Sequence, residues 1–275
     1  MQATARNIES SRVEPGFDAA GKFMPDGLAL IGGFDFLAQG ERRFISRIQG
    51  RSYVRMLGLL RFTGMDQERQ ALLRRMDATM SAAMPAGYRF VPDPAVAAGM
   101  IQRRSTWAVL GLSCLVDLLV RTHYRLSIDP DPALDSLWQD VFHFRWKEES
   151  PRMVLDELQW RGANAQLNDA ERDRSVGDLI SLIGVVDGIL RAQAKADTDY
   201  FARTSGRTLQ GGELARVGAG LLQAYRWQYI LCGFQVPHFS AVLGGMLNDA
   251  QYARVAAALA PLFGGNSIPG EAGAR

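Results

Sequence analysis

Apolar residues recur at intervals of three and four along most of this 275-residue chain, and this spacing constrains the fold more than any other feature. In residues 66–84, for example, Leu73, Met76 and Met80 continue a stripe that begins with Asp66 and Arg69. Proline-rich segments such as "PAGYRFVPDP" (85–94) and "DPDP" (129–132) separate these stretches. Alternating β-branched runs bounded by turns are nearly absent, so the pattern predicts an all-α protein.

The breaks predict where the helices begin and end. We expect helices over residues 41–62, 66–84, 95–127, 133–163, 168–203 and 213–234, followed by two shorter ones. Asn168, with Glu171 three positions later, is typical of a capping box at a helix start. The predicted organisation is a flexible N-terminal arm (1–35), a single helical domain (36–262) and a flexible C-terminal tail (263–275).

Composition excludes several classes of function. The net charge is +2, which is too small to indicate nucleic acid or an anionic membrane as the main partner. Cys114 and Cys232 lie in separate apolar runs and match no metal-binding or redox spacing, so we expect two buried free thiols. The longest apolar stretch (107–120) is too short to span a bilayer, and the N-terminus lacks the pattern of a signal peptide. A cytoplasmic protein is expected.

Charged residues interrupt otherwise apolar helix faces in three places, one of which is Asp66 and Arg69 at the start of the stripe described above. Asp117 is the only strongly polar residue in "WAVLGLSCLVDLLV" (107–120). Its stripe runs through Trp107, Leu110, Cys114, Asp117, Arg121 and Tyr124. In the next predicted helix, the face of Trp138 and Phe142 continues through Arg145, Glu149, Arg152 and Asp156. Buried carboxylates need a compensating cation, which is either a metal ion or an arginine. Ordinary surface ion pairs, or a pairing of Asp117 with Arg121, remain the alternative.

Three segments give the chain a family resemblance. "STWAVLGLSCLVDLLVRTHYRLSI", "FRWKEESPRMVLDELQW" and "LLQAYRWQYILCGFQ" resemble a bacterial branch of the ferritin-like dimetal-carboxylate proteins, over roughly residues 40–255. The resemblance implies a ferritin-like four-helix bundle with additional C-terminal helices. It also implies that the ligand positions have changed.

The fourth bundle helix in that branch reads Glu-Glu-Ser-Gln-His, where this chain has Glu148-Glu149-Ser150-Pro151-Arg152. A second Glu-x-x-His is replaced by Asp66-x-x-Arg69, and a third-helix Glu by Asp117. The first-helix Glu falls near Leu60 and Arg61. Of the ligands that the resemblance implies, Glu149 alone is unaltered.

We therefore expect the dimetal site to be replaced by a cluster of arginines and carboxylates, in a metal-independent small-molecule-binding or biosynthetic protein. Asp117 and Glu149 are the candidate catalytic acid or base. An anionic or carbonyl-bearing ligand would be bound by Arg61, Asp66, Arg69, Arg145, Arg152 and Tyr124. No cofactor is expected, and whether the protein is an enzyme stays open.

Two alternatives remain. The chain could be a non-catalytic paralogue that supports an intact dimetal partner. Whichever function holds, the chain could form a homodimer or a heteromer with an intact paralogue. It could also be a dimetal oxidase or oxygenase that holds iron or manganese with Asp66, Asp117, Glu148, Glu149 and His123. A capping or packing role is favoured for His123, and His143 falls just off the polar face.

Overall fold

The computed structural model describes residues 21–60 and 67–263. Within these ranges, the side chains at positions 60, 67–70, 72, 136–137, 140–141, 144–145, 147–152 and 211 are outside the description. The described chain is all-helical and contains no β-strand, which confirms the predicted class. None of the described helices is both long enough and apolar enough to cross a membrane.

The helices follow one another with short connections. Their bounds are α1 Asp26–Ala29, α2 Gln39–Leu60, α3 Gln67–Ala82, α4 Pro94–Gln102, α5 Thr106–His123, α6 Ser136–Ala165, α7 Asp169–Thr204, α8 Gly211–Arg226, α9 Cys232–Phe234, α10 Pro237–Gly244 and α11 Asp249–Leu259. π-Helical turns at Tyr124–Ile128 and Trp227–Leu231 extend α5 and α8. Such turns insert an extra residue into the helical ladder and are often found near functional sites.

The long helices pack as neighbouring pairs around one apolar core. Contacts join α2 to α3, α5 to α6 and α7 to α8, while α7 also packs on α2 and α5. Cys114 and Cys232 are both buried and free, as predicted. Burial raises the pKa of each thiol to about 12, so neither is a reactive thiolate.

Two helix ends show how well local sequence signals predict boundaries. Asn168 and Glu171 form the predicted capping box at the start of α7. The single helix predicted for 95–127 is wrong, because the chain breaks between Gln102 and Thr106. Ser105 caps the new helix α5 by accepting a hydrogen bond from the backbone N–H of Ala108.

Residues 22–34, which we call the strap, lie in the segment predicted to be a flexible arm, but the structure packs them into the core. The side chain of Phe23 is fully buried and stacks on Trp138, with ring centroids 6.1 Å apart. The Ser46 hydroxyl accepts hydrogen bonds from the backbone N–H groups of Phe23 and Met24. At the strap's start, the Lys22 ammonium lies 2.7 Å from an Asp131 carboxylate oxygen.

The strap also bridges α2 and α8. The side-chain amide of Gln49 in α2 donates to the carbonyl of Ala29, and that of Gln228, just beyond α8, donates to the carbonyl of Leu28. Gly50 allows the strap to approach α2 closely, because a Cβ at this position would lie 2.6 Å from the Cβ of Phe23. The strap is therefore fastened by polar contacts and by steric fit.

We predict that Gly50→Ala destabilises the protein by about 1–3 kcal/mol, because the added methyl group overpacks the contact with the Phe23 backbone region. Gly58→Ala in the same helix is the matched control, since a Cβ there meets nothing within 4 Å. It should stabilise the protein by about 0.5–1 kcal/mol through helix propensity. Denaturant unfolding of both variants measures the two free energies; a stabilised Gly50→Ala would show that the strap is not tightly seated.

Candidate functional site

The predicted stripe on α5 faces α6, and the two helices run antiparallel. Trp107 packs on Trp160 near one end, with ring centroids 5.4 Å apart. Near the other end, Tyr124 stacks on Trp146, also at 5.4 Å. Between them, the Arg121 guanidinium Nη1 lies 3.8 Å from the Met153 sulfur. The polar positions of the stripe therefore lie along the α5–α6 interface.

Asp117 is buried in the middle of this interface. Asp117 is 8% exposed and makes a polar, electrostatic or other specific contact within the protein. The pKa of the nearby Cys114 thiol is raised first by burial and then by the carboxylates of Asp156, Asp117 and Glu157. Acidic groups from both helices therefore lie near enough to Cys114 to disfavour its ionisation.

A small cavity adjoins this acidic group between α5, α6 and α10. It measures about 10 Å³ and is lined in part by Cys114, Met153, Glu157 and His238. The imidazole Nε2 of His238 lies 2.6 Å from a Glu157 carboxylate oxygen at its edge. This volume holds roughly one water molecule, so a larger ligand at this place requires the flanking side chains to move.

Tyr124, at the end of α5, forms a polar group with Asp129 and His143. Its hydroxyl donates to the Asp129 carboxylate at 2.9 Å. The same oxygen is hydrogen-bonded to Nδ1 of His143. His143 was predicted to lie off the polar face, and the structure instead joins it to Tyr124.

Much of the predicted cluster falls outside the described residues. Arg61 and Asp66 are not described at all, and the backbone alone is described for five other predicted site residues. These five are Arg69, Arg145, Glu148, Glu149 and Arg152. Their convergence with Asp117 stays a prediction. Among the described residues, no three His, Cys, Asp or Glu side chains are grouped closely enough to hold a metal ion.

His123, a candidate metal ligand in the oxidase alternative, is buried at the end of α5. Its Nδ1 lies 2.8 Å from the Tyr53 hydroxyl of α2, and the two rings pack at 5.8 Å. Burial lowers the pKa of His123 to about 3, so the imidazole is neutral. The observed position matches the packing role favoured by the sequence.

A second polar group, which the sequence-based predictions do not include, is centred on Asp197 of α7. Its carboxylate is fully buried and accepts hydrogen bonds from Ser52 of α2, Gln193 of α7 and Tyr225 of α8. The Ser52 hydroxyl is also bonded to the Tyr88 hydroxyl at 2.8 Å. Burial raises the pKa of Asp197 to about 7, against the opposing effect of these donors, which favour the ionised form.

Two arginines of α2 connect this network to α3. Arg51 lies over the ring of Tyr88 at 4.2 Å, and its Nε is 2.9 Å from an Asp77 carboxylate oxygen. Arg55, one turn later, binds the other oxygen of Asp77. Asp77 thereby joins two cations that flank Tyr88, and both arginines lower the pKa of Asp77 against the effect of its burial.

A signal for Asp197 was present in the sequence. Asp197 continues an apolar stripe through Leu190, Ala194 and Phe201, in the same way that Asp117 interrupts the stripe of α5. Spacing alone indicates that such an acid is buried. Gln193 lies one turn earlier on the same helix, but the donors Ser52 and Tyr225 come from other helices, and nothing in the sequence of α7 identifies them.

Comparisons with known proteins add no relative. No family model matches the chain, and neither curated proteins nor solved structures give a match. The ferritin-like resemblance therefore stays an expectation, and the all-α class is what the structure shows.

The Asp197 carboxyl should make stability depend on pH. Because its pKa is higher in the folded protein than in the unfolded chain, the folded state binds more protons between about pH 4 and pH 7. Folding stability therefore loses this contribution as pH rises through that window. We expect Asp197→Asn, which is neutral at every pH, to gain stability relative to the parent protein as pH rises from 4 to 7.

Denaturant unfolding at several pH values tests this expectation. Asp199→Asn is the control, because Asp199 lies on the same helix, is exposed and pairs with Lys195. It should leave the pH profile between 4 and 7 nearly unchanged. A profile of Asp197→Asn parallel to that of the parent would mean that Asp197 is ionised throughout this range.

Proposed function

We propose that this protein binds an anionic or carbonyl-bearing small molecule at the α5–α6 interface without using a metal ion. The observation that carries the proposal is the burial of Asp117 on a stripe that also presents Arg121 and Tyr124 to α6. An interface between two helices that served packing alone would be apolar along this length, as it is at Trp107 and Trp160.

The described side chains offer complementary chemistry for such a ligand. The guanidinium of Arg121 is half-buried and lies 3.8 Å from the Met153 sulfur, and guanidinium N–H groups are suited to bind a carboxylate or carbonyl oxygen. The hydroxyl of Tyr124, held by His143 and Asp129, lies one turn from it. Asp117 can exchange a proton with a bound ligand, so the site supports acid–base chemistry as well as binding.

Biosynthetic or accessory metabolism would suit this arrangement. The ferritin-like bundle with a vacated dimetal site remains part of the proposal, supported by the family resemblance of three segments. The paralogue alternative would need an intact dimetal partner. The oxidase alternative would need ligands from the side chains outside the description, because the described acids and histidines form no group of three suited to a metal.

We expect Arg121→Gln to weaken the binding of small organic anions by at least about tenfold, which corresponds to losing one charge-assisted hydrogen bond. Benzoate, succinate and pyruvate are suitable probes, measured by isothermal titration calorimetry and by the shift in melting temperature. Arg125→Gln is the matched control, because Arg125 lies four residues later and is exposed. Equal affinities in the two variants, or no binding of any probe by the parent, would contradict the proposed site.

Metal content provides a separate prediction. Because arginines stand where the resemblance implies histidine ligands, protein purified without chelator should hold far less than one iron, manganese or zinc ion per chain. Elemental analysis by mass spectrometry measures this directly. One or two tightly held ions per chain would favour the oxidase alternative over the metal-independent one.

A further inference from the structure

Three buried polar atoms around Tyr53 have no hydrogen-bond partner within the described protein. They are Nε2 of His123, Nε1 of Trp138 and the hydroxyl of Tyr229. Their residues are 1%, 0% and 2% exposed, respectively. The three rings belong to α5, α6 and the π-helical turn after α8, so different parts of the fold bring them together.

Each of these rings packs against the ring of Tyr53. The centroid distances are 5.8 Å for His123, 6.5 Å for Trp138 and 5.8 Å for Tyr229. Tyr53 therefore lies at the centre of a polar and aromatic group that we call the Tyr53 cluster. Its members are Tyr53, His123, Trp138 and Tyr229.

Two buried glutamines lie beside the Tyr53 cluster. Gln49 is one turn before Tyr53 on α2, and Gln228 directly precedes Tyr229. Each uses its amide nitrogen to bind a carbonyl of the strap, and each leaves its amide oxygen without a partner in the described protein. Next to the cluster, the two glutamines thus offer amide acceptors, while the indole and the hydroxyl of the cluster offer donors.

Native interiors rarely leave this many polar atoms unsatisfied at one place, because each unsatisfied atom pays the full cost of losing its contact with water. Such atoms are usually paired with ordered water or with a bound molecule. The imidazole of His123 is neutral, and the other members also carry no formal charge, so the cluster suits an uncharged guest.

We propose that the Tyr53 cluster is a site for an uncharged oxygen-bearing molecule, either water or a small alcohol or amide. The guest hydrogen-bonds to Nε2 of His123, Nε1 of Trp138 and the hydroxyl of Tyr229. This site differs in charge from the α5–α6 interface, where Arg121 and Asp117 lie, and it does not depend on the function proposed for that interface. The strap covers it, since Phe23 stacks on Trp138.

Tyr229→Phe tests the proposal, because a filled and an unfilled site predict opposite outcomes. If a guest binds the Tyr229 hydroxyl, its loss lowers the folding equilibrium constant by about tenfold, as for a typical buried hydrogen bond. If the hydroxyl is unpartnered, its removal leaves that constant unchanged or raises it, and the proposal is overturned.

Two control variants calibrate the measurement. Tyr225→Phe, one turn earlier, removes a hydroxyl that donates to Asp197 and so shows the effect of losing a known buried hydrogen bond. Tyr252→Phe alters an exposed tyrosine and should change nothing. Denaturant unfolding of the full chain gives all three equilibrium constants.

A crystal structure of the unmodified chain decides the matter if Tyr229→Phe does not fold. Ordered density within hydrogen-bonding distance of all three polar atoms supports the proposal, and density that reaches fewer than three of them overturns it. Mass spectrometry of an extract of the denatured protein then distinguishes the two sources. A stoichiometric organic compound identifies an alcohol or amide, and its absence identifies the density as water.

Discussion

The hydrogen bonds to the Asp197 carboxyl are the contacts on which the interior of this protein most depends. They join α2, α7 and α8 through Ser52, Gln193 and Tyr225 at a point with no access to solvent. A buried carboxyl is tolerated only where its oxygens are paired, so the three helices must keep their relative positions for the acid to remain satisfied. Through Ser52 and Tyr88, the same group reaches the ion pairs between α2 and α3.

The position of the strap follows from this arrangement. Its anchors, Gln49 and Gly50 on α2 and Gln228 beyond α8, lie on the helices that Asp197 joins. The strap carbonyls can meet both amides only while α2 and α8 keep their spacing. The aromatic interior around Tyr53 is then enclosed between these helices, α5, α6 and the strap, which is why polar atoms there are cut off from bulk water.

Sequence spacing predicted the helices well and the polar contacts between them incompletely. The capping box at Asn168 and the stripe of α5 were both readable, because a helix has a fixed period and its start has a local signature, whereas the packing of that stripe on α6 came from the structure. The break at Ser105 was missed, since a long apolar pattern concealed a local cap. The sequence does not predict the burial of the strap, because that burial depends on Gly50 and on the amides of Gln49 and Gln228, which lie elsewhere in the chain.

The same limit applies to the candidate sites. Asp117 and Asp197 both interrupt apolar stripes, yet only Asp117 was predicted to be a site residue. The partners of Asp197 lie as far as 145 residues away in the chain, at Ser52, and no periodicity within one helix can specify them. The packing of α2 against α7 supplies this information.

The central claim of this account is that the helices close over a protonatable acid at Asp197. Carbon-detected NMR of aspartate side chains, with the Asp197 resonance assigned through Asp197→Asn, measures that group directly. The account predicts a titration midpoint near 7 for the Asp197 carboxyl. A midpoint near the ordinary aspartate value of about 4 would show that the carboxyl is ionised at neutral pH and contradict it.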